Sequence, residues 1–203
     1  MASDRSRNHW QMSRLPPVLS DRDLPLSELQ AARLDGEVYR VDECFSPIDE
    51  IEQRDHRGLA LAAVFPPRLI AEQRTAAWVL GALARPPTRH QFCAAITTRV
   101  RPTGLGPTTV REVVIAPEEV LDCGGQAVTT PLRTAVDLAR FSPEFADDEF
   151  RVVITLMRLG RFGVHECGMV LDRRRNLPNK RIALTRLREA ARRAQPPLTR
   201  YTS

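Results

Sequence analysis

Residues 129–140 read TTPLRTAVDLAR, a helix with its start signal attached. Thr130 can act as N-cap, its hydroxyl accepting from an otherwise unpaired backbone N–H, and Pro131 suits the first helical position, where a missing donor costs nothing. Leu132, Ala135, Val136 and Ala139 then fall at helical spacing and form a core-facing stripe, with Arg133 and Asp137 beside it at i and i+4. A basic residue near a helix N-terminus opposes the dipole, and Arg before Asp is the weaker order for such a pair. The reason for keeping the pair is therefore tertiary. It either docks this helix onto its own domain, the preferred reading, or presents Arg133 to a ligand.

Working outward, DCGGQAVTT supplies a turn and a short strand feeding the helix, and residues 117–120 a helical turn. RHQFCAAITTRVR and TTVREVVIA are strand candidates separated by the turn-forming PTGLGP. Residues 49–64 are expected as a helix stopped by FPP, and RLIAEQRTAAWVLGALARPP as a second helix broken by Pro86 and Pro87, together an antiparallel pair. Downstream, residues 146–159, GVHECGMVLDRR and NKRIALTRLREAARRA are helical. Upstream, residues 25–34 form a helix closed by Gly36, followed by β-prone runs at 37–41 and 44–46 joined by Asp42 and Glu43. Helix then hairpin is the closing half of a winged-helix module, and residues 1–24 hold too few large apolar groups for the opening half. The expected organisation is α+β: an extended arm at 1–24, a partial winged helix at 25–48, a helix-rich α+β domain with a small sheet at 49–195, and a disordered tail at 196–203.

The chain has 203 residues and a formal charge of +5. That suits a polyanionic partner without demanding one. Lys180 is the sole lysine and follows LPN, which excludes a phosphate-binding loop ending G-K-[ST] and leaves a pyridoxal Schiff base without supporting context. No stretch of about 18 apolar residues or signal segment occurs, so the expected location is cytoplasmic, with Cys44, Cys93, Cys123 and Cys167 as reduced thiols. His165 and Cys167 diverge on a helix with no second ligand pair, so neither a metal nor another cofactor is expected. Asp147, Asp148 and Glu149 are consecutive and fan around a helix as solvated surface. There is no Glu-x-Lys pairing of a magnesium nuclease and no G-x-S-x-G elbow, and nothing else in the chain asks for an enzyme.

Nucleic-acid contacts have two candidate sources. Ser27, Gln30 and Arg33 share a helix face that would meet a major groove, and Arg40 on the hairpin would meet phosphate. In the last helix Ala183, Leu184, Leu187, Ala190, Ala191 and Ala194 make an apolar face, while Arg181, Arg188 and Arg192 recur on another, with Arg173, Arg174 and Arg175 upstream. Such a stripe either tracks phosphates or is a solvated face in an arginine-biased chain.

The order of GEVYRVDECFSP, RTAAWVLGAL, GGQAVTTPLRTAVDLAR and LPNKRIALTRLREA resembles actinobacterial proteins of the AbiEi-like type IV antitoxin group, over roughly residues 20–195. Its most specific part joins Ala76, Ala77, Trp78 and Gly81 to Gly125, Val128, Thr129, Pro131, Arg133, Thr134, Asp137, Leu138 and Arg140. The resemblance implies an N-terminal winged-helix DNA-binding part, a C-terminal α+β antitoxin domain, and repression of the protein's own operon. It also implies opposition to a cognate nucleotidyltransferase-like toxin, with Trp78, Arg133, Asp137 and Arg140 as structural or partner-binding residues. Here the winged helix is shortened, and the nuclease-like extension of related long forms does not follow the last helix. A form that binds its own operator would ordinarily be a homodimer, because half-site spacing mirrors a two-fold axis. The alternative from another class is a protein-interaction module that acts on a toxin without binding DNA.

Overall fold

The computed structural model describes residues 15–97, 106–173 and 177–194. Most of the expected arm, the PTGL segment, Arg174, Arg175 and the tail lie outside the described residues.

The chain opens with α1 (Leu26–Leu34), stopped where Gly36 takes a left-handed φ of 77°, and continues into the antiparallel hairpin β1 (Val38–Val41) and β2 (Cys44–Pro47). Of the stretch expected as an extended arm, residues 15–24 are described, and part of it is packed. Leu19 is buried and bridges Phe45 through paired backbone hydrogen bonds, so a third strand-like segment lies along β2. Asp23 then closes a turn by accepting from the backbone N–H and hydroxyl of Ser20. Leu19, Leu29, Val38 and Phe45 form a small core of their own.

The helix expected at 49–64 is α2 (Arg54–Val64), starting five residues later than its sequence suggested. Gly58 allows α2 to lie directly on the sheet, since a Cβ there would sit 1.9 Å from the Cys123 carbonyl oxygen. The stretch expected as one long helix at 68–87 corrects to strand, then short helix. Ile70–Ala71 is a strand, β3, and α3 occupies only Gln73–Val79. Ala71 is sandwiched between two other strands, so its backbone groups are claimed by the sheet. Gln73, with φ of 49°, marks the break. Gly81, not the prolines, ends α3, its φ of 88° letting Gly81 and Ala82 return hydrogen bonds to Trp78 and Ala77.

β4 (His90–Ala95) and β5 (Thr108–Val113) pair in parallel and so are not the two strands of a hairpin. A 3-10 turn (Pro117–Glu119) leads to β6 (Val120–Cys123) and β7 (Gln126–Thr129), and the five-stranded sheet runs β5-β4-β3-β7-β6. Four helices follow: α4 (Pro131–Phe141), α5 (Asp147–Gly160), α6 (Val164–Asp172) and α7 (Lys180–Ala194). With four helices gathered after a mixed sheet, the fold is α+β.

Two larger cores meet at α3. Ala76, Trp78 and Val79 pack with α2 and the sheet, while Ala77 packs with the four later helices. Ala183, Leu187 and Ala190 of α7 are fully buried in that second core. Among the described residues no helix is long and apolar enough to cross a membrane.

Candidate functional site: a buried ion cluster beside an exposed helix

The N-cap at Thr130 sets the geometry. Its hydroxyl accepts from the Arg133 N–H, and Thr134 donates back into the same turn, so α4 starts at a fixed angle against β7. That places Arg133, Asp137 and Arg140 on the face turned into the molecule, where Arg133 and Asp137 are 5 % and 1 % exposed. Arg133 Nε donates to Asp137 Oδ2 at 2.8 Å, its Nη1 donates to Glu119 at 2.8 Å, and Arg140 Nη1 reaches Asp137 Oδ1 at 3.2 Å. From β5, Arg111 grips both oxygens of Glu72 and reaches Asp137 Oδ2 at 3.3 Å. Three guanidinium groups and three carboxylates thus interlock α4 with β5, the β3–α3 junction and the 3-10 turn. Arg111 and Arg140 also lie over the Phe141 ring, at 4.1 and 4.3 Å from its centre.

Burial disfavours each of these charges, and the partners decide the balance. For Arg133 the desolvation is more than offset by Asp137 and then Glu119, and for Arg111 by Glu72 and Asp137, so both hold their protons more tightly than usual. Arg140 shifts the other way, because burial and the neighbouring Arg133 and Arg111 outweigh Asp137. Cys93 lies in the same field, and burial with the charges of Glu72 and Asp137 pushes its thiol well up, away from thiolate chemistry. The cluster's acids and bases are spent on one another, which suits it to fix one arrangement of sheet and helix. On its outer side Arg133, Arg140, Arg173, Glu118 and Glu119 line a cleft of about 240 Å³.

Trp78 is not part of this cluster. It is a buried core residue with the Arg57 guanidinium 5.6 Å from its ring and its carbonyl accepting from Arg57 Nη1. Glu72, Arg111 and Glu119 had no signal in sequence strong enough to single them out. The nearest was a lone carboxylate straight after the apolar Leu69–Ile70–Ala71 run.

The residues expected to face DNA occupy two places. On α1 only Leu29 is buried, Ser27 and Arg33 are exposed and Gln30 is half-buried. Arg40 is exposed on β1 but not free, because its Nη2 meets Glu43 at 3.1 Å and its Nε donates to the Asp42 carbonyl. Arg181, Arg188 and Arg192 are exposed on α7, which packs on α4, α5 and α6, whereas the hairpin packs on α2. Arg192 gives two hydrogen bonds to Glu189, and Arg193 joins Glu189 to Asp147. The structure therefore does not merge the α1 and α7 sets into one stripe.

A second polar link, unmarked in sequence, ties the hairpin to the sheet. His90 Nε2 lies 3.1 Å from Asp42 Oδ2 in the β1–β2 turn, and its Nδ1 lies 3.3 Å from the Thr75 hydroxyl. The ring is boxed by Phe65, Phe92 and Trp78. Thr75 is wholly buried and accepts from the Gln91 N–H, so it is held as structure and has no access to a substrate. Among the described residues no group of three or more His, Cys, Asp or Glu is placed to hold a metal.

No curated protein matches. The crystal structure of the RV2827C protein from Mycobacterium tuberculosis superposes with a TM-score of 0.48 at 19% identity, covering 90% of this chain and 73% of that one. Residues 69–152 match the family model of the AbiEi antitoxin C-terminal domain, a span running from the buried Leu69 before β3 through the sheet, the ion cluster and α4 into α5. Residues 69–152, which hold the interlocked sheet and helix, are therefore similar to the AbiEi antitoxin C-terminal domain.

Proposed function

We propose that this protein is the antitoxin of a type IV toxin-antitoxin system and a DNA-binding repressor of its own operon, acting in the cytoplasm against a nucleotidyltransferase-like toxin. The antitoxin half rests on the AbiEi domain at residues 69–152. The DNA-binding half rests chiefly on one observation: α1 buries Leu29 and leaves nearly all its other side chains outside, while Leu19, β1 and β2 seat it from behind. A helix carried on a small three-strand support with a hairpin beside it is how a winged helix offers a reading helix to a major groove. In this reading Ser27, Gln30 and Arg33 meet base edges and phosphates, and the exposed Arg181 and Arg188 add long-range attraction for DNA. As a homodimer it would span two half-sites.

One observation favours a second reading, a protein-interaction module without DNA binding. The hairpin turn is acidic, with Asp42 and Glu43 at its tip and Arg40 neutralised by Glu43. The deciding experiment measures binding of the full chain to labelled DNA from upstream of its own gene, beside a scrambled duplex, over a salt series. Tighter binding to its own sequence, falling as salt rises, is the expected result. No binding to either duplex, with retained binding to a co-expressed toxin, would establish the second reading.

A further inference from the structure

The hairpin's own arginine is neutralised, and positive charge beside the hairpin comes instead from the loop between α3 and β4. A cleft of about 610 Å³ has Arg40, Asp42 and Glu43 on one wall and Pro86, Pro87 and Thr88 on the other, so this loop stands next to the hairpin tip. The same loop borders a second cleft, of about 670 Å³, lined by Arg74, Arg85, Arg89 and Asp148. Asp148 is already committed there, accepting from Arg74 at 3.0 Å and from Arg151 at 3.4 Å. Arg85 and Arg89 are exposed, and neither finds a carboxylate within ion-pair distance among the described residues. Two prolines between them fix φ and reduce the conformational freedom that binding would remove. His90, directly after Arg89, is bonded to Asp42, which holds the end of the loop against the hairpin.

We infer that Arg85 and Arg89 contact the phosphate backbone of duplex DNA, extending the interface from the α1–hairpin unit onto the antitoxin domain. This rests on the DNA-binding reading above and adds to it the surface that supplies phosphate affinity. Two of the arginines a sequence would nominate are less available. Arg40 is held by Glu43, and Arg192 by Glu189. An exposed guanidinium without a carboxylate partner can release counterions from DNA without first breaking an ion pair. Both residues flank a stiff loop, so they position the duplex without reading its sequence.

The test compares three full-length proteins in a salt series on the upstream duplex and on its scramble: the unsubstituted chain, R85Q/R89Q, and R158Q/R161Q. The last removes the same charge from exposed residues at the end of α5. R85Q/R89Q should weaken binding to both duplexes alike and flatten the plot of log affinity against log salt by about 1.8, roughly 0.9 for each lost phosphate contact. R158Q/R161Q should leave that slope unchanged. Equal slopes for the unsubstituted chain and R85Q/R89Q overturn the inference while leaving DNA binding standing, and so does an equal loss in both double variants. No binding by the unsubstituted chain overturns the DNA-binding reading and the inference together. Thermal melts of all three proteins should coincide, because every substituted side chain is exposed.

Discussion

The two ends of this molecule handle charge in opposite ways. In the antitoxin domain Asp137 is 1 % exposed and accepts from Arg111, Arg133 and Arg140, so a single carboxylate binds together a strand and a helix. In the α1–hairpin unit the core is four apolar side chains, and α1 keeps most of its surface and polar groups in water. Burying charges costs desolvation and yields one defined arrangement. Leaving them exposed contributes almost nothing to stability and keeps the groups available. The domain that matches the family model is fixed by its buried charges, and the α1–hairpin unit leaves its own in water.

Removing Asp137 should break this contrast most forcefully. Asp137→Ala strands three buried or half-buried guanidinium groups without their shared acceptor, a loss expected at about 3–5 kcal/mol for a broken buried pair. Denaturant unfolding should show the whole antitoxin domain shifted to a lower midpoint. A change under 1 kcal/mol would mean the cluster is ornamental. At the other end, Gln30→Ala and Arg33→Ala on α1 should leave the midpoint within about 0.5 kcal/mol, as surface substitutions usually do, while reducing affinity for the upstream duplex. If they destabilise as much as Asp137→Ala, α1 is a packing element and the comparison collapses.

The smallest effect concerns acid. Hydrogen bonds from Arg192 and then Arg193 hold the exposed Glu189 carboxylate down at about 2 in the folded protein. A depressed folded pKa stabilises above the ordinary carboxylate value of about 4.3 and loses that contribution as pH falls toward 2. Glu189→Gln should therefore lose slightly less stability than the parent between pH 5 and pH 2, a difference that high salt erases. Parallel pH curves at low salt would show that these exposed ion pairs contribute nothing.

What could be read from the sequence was local. Helix α4 has its N-cap, its proline and its apolar period inside a dozen residues, and the α1–hairpin unit is punctuated by Gly36 and by Asp42 with φ of 55°. What could not be read depends on distant partners. A strand of two residues is too short to show a period, so β3 was absorbed into a neighbouring helix. The Arg133–Asp137 pair was visible at i, i+4, but its other members come from far along the chain: Arg111 is 26 residues from Asp137, Glu119 is 14 from Arg133, and Glu72 is 39 from Arg111. Nothing in a linear pattern links those positions. Whether the remaining expected site residues touch DNA or a toxin is a matter of binding, which periodicity does not encode.

The shortness of β3 also orders events in time. β4 with β5 and β6 with β7 are joined into one sheet only through Ile70–Ala71, which pairs with Phe92 and Cys93 on one side and with Val128 on the other. The α1–hairpin unit closes over fewer than about 30 residues and can form early as the chain leaves the ribosome. The sheet must wait for residue 128. A nascent chain would thus expose its finished helix–hairpin unit before any antitoxin domain exists. Vectorial synthesis then gives the α1–hairpin unit a head start over the domain that matches the antitoxin family model.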